Sequence, residues 1–180
     1  LAASNILSIT DCSKLLKKRG EIMQNAFEPN KSVMAAIIGL DCKKIDEIIN
    51  LNNLDVEIAN DNSPVQIVIS GIKNEVIKSE MIFKEAGAKR FILLNVSAAF
   101  HSKLMKDAQK ELLKNINSTT FNDSSISIIS NYSAQLSNSK HSIIENLSMQ
   151  MANRVRWVES INPLVSTNNL KIIEIGPAKF

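Results

Sequence analysis

Histidine and arginine are scarce here, with two histidines, His101 and His141, and four arginines among 180 residues. His101 lies in Asn95-Val96-Ser97-Ala98-Ala99-Phe100-His101-Ser102, after a strand-like run and before a helical one. The end of a strand opening into a loop is where α/β folds present reactive side chains. Arg19 falls on a mostly apolar helical face, and its planar fork can grip a carboxylate through two parallel hydrogen bonds, which lysine cannot do. Gln150 and Asn153 lie near Trp157 on a helix, while Asn60, Asn62, Ser63 and Gln66 flank a turn. Taken singly, each of these residues also fits a purely structural or surface role. His141 follows Lys140 in a polar stretch and is assigned none. The chain has no Gly-x-Ser-x-Gly, no P-loop, no Gly-x-Gly-x-x-Gly and no metal-type cluster.

Such residues need elements to position them. Leu15, Leu16, Ile22, Met23, Ala26 and Phe27 predict a helix over 10–28, capped by Thr10 or Asp11 and closed by Pro29-Asn30. The apolar run over 33–40, bounded by Gly39, predicts a buried strand. Asp41 caps a helix reaching residue 50. Strands over 56–60 and 66–70 flank a turn at Asn62-Ser63-Pro64, with Gly71 ending the second strand. A helix over 73–86 stops at Gly87, and a strand covers 90–96. This β-α-β-β-α-β order is that of the ferredoxin-like unit. Downstream, the pattern predicts helices over 102–116, 141–152 and around 158–165, with strands over 126–129 and 170–175. That alternation predicts a parallel α/β layer, with the small unit inserted into it.

Composition narrows the function classes. Hydrophobic residues make up 44% and charged residues 22%, as in soluble globular chains. The net charge of +3 is small and its lysines are scattered, which argues against nucleic acid. The strands of the small unit carry Val56, Ile58, Ile67, Val68 and Ile69 rather than the aromatics that stack RNA bases. No apolar run approaches the roughly 18 residues of a membrane span. Cys12 and Cys42 are far apart, which suits a reducing cytoplasm.

The order of the segments is more specific than any one of them. Arg19-Gly20-Glu21-Ile22-Met23-Gln24, the Met34–Leu40 run, Asn60-Asp61-Asn62-Ser63-Pro64 through Gly71, and Phe100-His101-Ser102 form a series. Gln150, Val155-Arg156-Trp157 and Glu174-Ile175-Gly176-Pro177 complete it. As a set covering nearly the whole chain, they resemble the malonyl-CoA:acyl carrier protein transacylase family. The resemblance implies an incomplete α/β-hydrolase-like parallel-sheet subdomain over 1–32 and 97–180, with the ferredoxin-like subdomain over 33–96. It implies ping-pong transfer of a malonyl group from coenzyme A to the phosphopantetheine thiol of acyl carrier protein, in fatty acid biosynthesis. No permanently bound cofactor is implied, and the expected enzyme is a cytoplasmic monomer.

By position, His101 is then the general base and Gln150 orients it through its main-chain carbonyl. Arg19 binds the free malonyl carboxylate. Met23, Asn60, Asn62 and Phe100 line the substrate cleft, the Phe100 ring filling the space an extra methyl would need. There are departures. The family's Gly-His-Ser-x-Gly nucleophile motif and its N-terminal Gly-Gln-Gly loop do not occur in the chain. Ala99 and Arg154 stand where proline is frequent, and Ala178 where glycine is. The chain opens on Leu1, so the expectation is a fragment cut at both ends and inactive alone. Loading of a polyketide synthase and a non-enzymatic binding module are the alternatives.

Overall fold

The computed structural model describes residues 1–28, 30–96, 98–165, 167–173 and 175. Helix α1 spans Ile9–Asn25, and Ser8 caps it by accepting from the Asp11 N–H. The cap falls two positions before Thr10 and three before Asp11, because the Ser8 hydroxyl can already satisfy a free first-turn donor. The helix also ends earlier than residue 28, at the Ala26 C-cap.

Strand β1 (Ser32–Ile38), helix α2 (Cys42–Leu51), strands β2 (Val56–Ser63) and β3 (Gln66–Ile72), helix α3 (Lys73–Glu85) and strand β4 (Arg90–Leu93) follow. The four strands form one antiparallel sheet in the order β2-β3-β1-β4. Residues alternate faces along a strand, and both faces of central β1 are covered, which is why its sequence reads as continuously apolar. Val33, Ala35 and Ile37 join Ile67, Ile69, Ile45, Val76 and Phe83 beneath α2 and α3. Met34, Ala36, Ala59 and Val68 form the opposite layer, packed by Val96 and Phe100. Asp41 caps α2 by accepting from Lys44 N–H at 2.7 Å. Gly87, at φ +102°, lets α3 close with paired bonds from Ala88 N–H to Phe83 and from Gly87 N–H to Lys84.

Three expectations shift within this unit. Asn62 and Ser63 belong to β2 rather than to the turn, which is the pair Pro64-Val65. Gly71 lies inside β3, opposite both Val33 and Val56. Strand β4 ends at Leu93, with Leu94 N–H still donating to the Met34 carbonyl of β1 at 2.9 Å.

Residues 94–96 and 98–102 lie in no helix or strand, and a 3-10 turn (Lys103–Met105) then leads into α4 (Lys106–Asn117). Strands β5 (Ile128–Ser130) and β6 (Gln135–Ser137) form an antiparallel hairpin. Helix α5 (Lys140–Met149), which contains His141, runs into a second 3-10 turn (Gln150–Ala152), and α6 spans Trp157–Val165. Helices α1, α4 and α5 share a core built on Leu15, Ile22, Met105, Leu112, Ile116 and Ile143. The expected parallel layer is not formed among the described residues. Among the described residues, 170–173 are not in a strand, although Leu170, Ile172 and Ile173 are apolar. Glu174, Gly176 and Pro177 lie outside the described residues.

Candidate functional site

The site builds on two chain irregularities that face each other. The first is the backbone at His101, which adopts φ +58°, a left-handed conformation costly for a residue with a side chain. The second is the end of α5, where helical carbonyls lose their intrahelical partners. The Gln150 carbonyl there lies 3.0 Å from His101 Nδ1, and His101 N–H donates to the Met151 carbonyl at 3.2 Å. The turn is held from outside: Gln109 on α4 accepts from Ala152 N–H at 3.0 Å. It is held from within by Gln150 Nε2, which donates to the Asn153 carbonyl at 3.1 Å.

A carbonyl can only accept, so the neutral His101 ring carries its proton on Nδ1 and leaves Nε2 as the basic nitrogen. Burial pushes the His101 pKa below its ordinary 6.5, the Gln150 carbonyl pulls it up, and the Arg19 charge pushes it down again. The combination is a ring kept neutral and oriented, suited to accepting a proton.

Arg19 reaches the same neighbourhood from α1. It is half-buried, and burial lowers its pKa. Among the described residues no acceptor is hydrogen-bonded or ion-paired to its guanidinium. A desolvated arginine without an anion is costly, and an anionic ligand group would relieve that cost. Met23 lies one turn on along α1, packed against the helical core. Phe100 packs against both the helical core and the sheet's Met34 layer.

The structure thus brings His101, Gln150 and Arg19 together. His101 lines a cleft of about 450 Å³ with Ile58 and Glu57 on β2 and with Ala152, Asn153 and Arg154. Phe100 lines a larger one of about 1130 Å³ with Gln24, Phe27, Ser32 and Leu94. Asn60 and Asn62 line neither cleft. Asn60 instead meets the turn segment through backbone, forming a parallel bridge with Val155. Val155 N–H donates to Ala59 at 2.8 Å, and Asp61 N–H to Val155 at 2.9 Å.

A seam cluster went unread in the sequence. Arg154 Nη1 lies 3.2 Å from Cys42 Sγ and Nη2 3.4 Å from Glu159, which also binds Arg156. The Arg156 hydrogen bond holds the Glu159 carboxyl below its ordinary pKa. Burial raises that of Asp61, against the nearby Arg154 charge. Only the Arg154 departure from proline hinted at it. Among the described residues, no three His, Cys, Asp or Glu side chains gather as a metal site, and no helix is long and apolar enough to cross a membrane.

An α/β chain with an oriented histidine beside an unpaired arginine fits acyl chemistry, and residues 1–178 match the family model described as the acyl transferase domain. The chain belongs to that family. Within it, the chain is 40% identical over 183 residues to the malonyl CoA-acyl carrier protein transacylase of Bacillus subtilis (strain 168), covering 99% of this chain and 57% of that one. A crystal structure of an acyl carrier protein S-malonyltransferase from Vibrio cholerae superposes with TM-score 0.88 at 33% identity, covering 92% of this chain and 55% of that one. A malonyl-transacylase solved in complex with a type II PKS acyl-carrier protein gives TM-score 0.87 at 31% identity, covering 92% and 54%. The chain therefore spans a little over half the length of the relatives it matches.

Proposed function

We propose that this chain carries the base and the substrate-selecting residues of a malonyl-CoA:acyl carrier protein transacylase. The observation that carries the reading is His101, held through Nδ1 by the Gln150 carbonyl at 3.0 Å, next to an unpaired, half-buried Arg19. His101 Nε2 takes the proton from a serine hydroxyl as that oxygen attacks the malonyl thioester, then delivers it to the departing coenzyme A thiolate. The phosphopantetheine thiol of acyl carrier protein gives its proton to the same nitrogen and attacks the acyl-serine, and the proton passes from Nε2 to the departing serine oxygen, restoring the neutral ring and the serine hydroxyl. The serine of a Gly-His-Ser-x-Gly elbow is not among these 180 residues. Arg19 pairs with the malonyl carboxylate, and acetyl leaves it unpaired. Met23 and Phe100 shape the acyl pocket. Glu57 and Ile58 form the β2 side of the cleft at His101, and Asn60, which does not line it, ties β2 to Val155 through a backbone bridge.

The finer architecture belongs to the same reading. The order β4-β1-β3-β2 with both helices on one face supports a ferredoxin-like subdomain over 33–96. Residues 1–32 and 97–180 are then part of an α/β-hydrolase-like subdomain, in a cytoplasmic monomeric enzyme of fatty acid biosynthesis.

The test has two arms. The 180-residue chain, incubated with malonyl-CoA and acyl carrier protein, should leave the carrier mass unchanged; a gain of one malonyl group would overturn the reading. Joined to the elbow-bearing segment of a relative, the chain should transfer malonyl. Arg19→Ala should then cut malonyl-over-acetyl preference by on the order of 100-fold. Equal loss of both rates would remove the carboxylate role.

A further inference from the structure

The left-handed backbone at His101 has to be held by something, and the structure shows what holds it. Ser32, at the start of β1, is 3% exposed, and its hydroxyl accepts from Ala99 N–H at 3.0 Å across 67 residues of sequence. Ser102 is 1% exposed, and its hydroxyl donates to the Ala99 carbonyl at 2.8 Å. Ala99 itself is fully buried, and Phe100 N–H turns back to the Ala98 carbonyl at 3.0 Å. Both polar groups of one residue, two positions before His101, are therefore gripped by buried serines, one from the sheet and one from the helical side. The Ser32 bond needs an N–H at position 99, which alanine has and proline would not.

We propose that Ser32 and Ser102 are positioning residues for His101. They fix the Ala99 backbone so that the chain enters His101 at φ +58° and the ring stays on the Gln150 carbonyl. A sparsely populated backbone conformation persists only where its surroundings over-determine it, and these two bonds supply that constraint. Each serine spends its hydroxyl on this one residue, and among the described residues neither pairs with another side chain. Ser70 provides the contrast: it is equally buried, on β3, and its hydroxyl has no partner among the described residues. The consequence is chemical. Nδ1 bonded to a carbonyl forces the proton onto Nδ1, so the clamp selects the tautomer whose Nε2 is basic.

The inference gives a reason for His101 to be held and so rests on its reading as the general base, but its test does not use activity. Ring nitrogen correlation spectra of the 180-residue chain report the tautomer directly, with exposed His141 as the internal reference. The unsubstituted chain should show His101 dominated by the Nδ1–H form. Ser32→Ala and Ser102→Ala should each lower the ratio of Nδ1–H to Nε2–H forms roughly fivefold, the change a net hydrogen-bond contribution implies. Ser32→Thr, which keeps the hydroxyl, and Ser70→Ala should preserve the ratio. Circular dichroism establishes that each variant is folded. The proposal is overturned if both clamp variants fold and keep the original ratio, or if Ser70→Ala lowers it equally. It is equally overturned if either clamp variant unfolds while Ser32→Thr folds with an altered ratio, since the hydroxyl would then be stabilising without positioning. Failure here leaves the base reading standing, whereas loss of that reading would appear as unimpaired transfer by His101→Ala in the elbow-bearing protein.

Discussion

The sheet unit and the helical region both bury an apolar core, but they close differently. In the sheet unit every strand has a hydrogen-bonded neighbour, and β1 is covered on both faces. In the helical region α1, α4 and α5 meet tightly, yet Trp157 is 47% exposed, Ile172 75% and Ile175 91%. The candidate site lies on the seam: His101, Gln150 and Arg19 come from the helical side, and Ser32 and the Val155 bridge tie them to the sheet. A self-contained unit thus serves as the anvil against which a less regular one holds its reactive ring.

The comparison breaks if the two regions unfold separately. Phe83 is fully buried and stacks on Phe91 at 6.4 Å, and Leu112 is 2% exposed in the other core. Phe83→Ala should cost about 3–5 kcal/mol and Leu112→Ala about 2–5 kcal/mol. Ile172→Ala, on the exposed surface, should stay within about 0.5 kcal/mol. The Val155 bridge, the Ser32–Ala99 bond and Phe100 on both cores predict one cooperative transition. In urea, Phe83→Ala should therefore shift the fluorescence of Trp157, the single tryptophan, as far as it shifts sheet amide protection. A Trp157 transition that stays put would show two independent regions.

The same contrast explains what the sequence could reveal. The run from Val33 needed no partner to be recognised, because burial on both faces leaves an unbroken apolar signature. Asp41 and Gly87 are local punctuation, and both act where their residue types say. The strand expected at 170–175 is absent over the described residues 170–173 and 175, because apolar β-forming residues state a preference for pairing without naming the partner. The turn at Asn62-Ser63 was misplaced because Asp61 N–H is recruited by Val155, 94 positions away. His101 and Arg19 were legible as scarce residue types in telling places. Ser32 was not, since its partner Ala99 lies 67 residues downstream and nothing local distinguishes the hydroxyl.

The seam should also report its own strength through pH. Arg156 and Arg154 hold Glu159 below its ordinary 4.5, so its contribution is present above that value and lost as pH falls through the depressed one. Asp61 runs the other way, since burial raises its pKa and acid relieves the cost of its charge. The Glu159 side chain is 39% exposed, so Glu159→Gln should cost only about 0.5–1 kcal/mol at neutral pH and flatten the acid limb. Asp61→Asn should steepen that limb, because the compensating gain disappears. Urea midpoints between pH 7 and pH 3 read both slopes. Parallel slopes in the two variants would mean that the cluster does not load the seam.

The smallest effect asks to which region the His101 ring answers electrically. Its pKa lies below 6.5 because of burial first, with Arg19 pushing in the same direction and the Gln150 carbonyl opposing. The fold holds the neutral ring, so this stability is present above 6.5 and lost as pH falls through the lowered value. Arg19→Ala removes a cation and admits water, and both raise the midpoint of the His101 ring titration toward 6.5. Gln150→Ala keeps the main-chain carbonyl and should move it less. Arg154 lines the same cleft from the seam but is not among the charges acting on the ring, so Arg154→Ala should leave the midpoint in place. Equal shifts from Arg19→Ala and Arg154→Ala would place the ring under the control of both regions. A shift from Arg19 alone would make the sheet's hold on His101 mechanical, exerted through Ser32 and the backbone, with the formal charge that acts on the ring coming from α1.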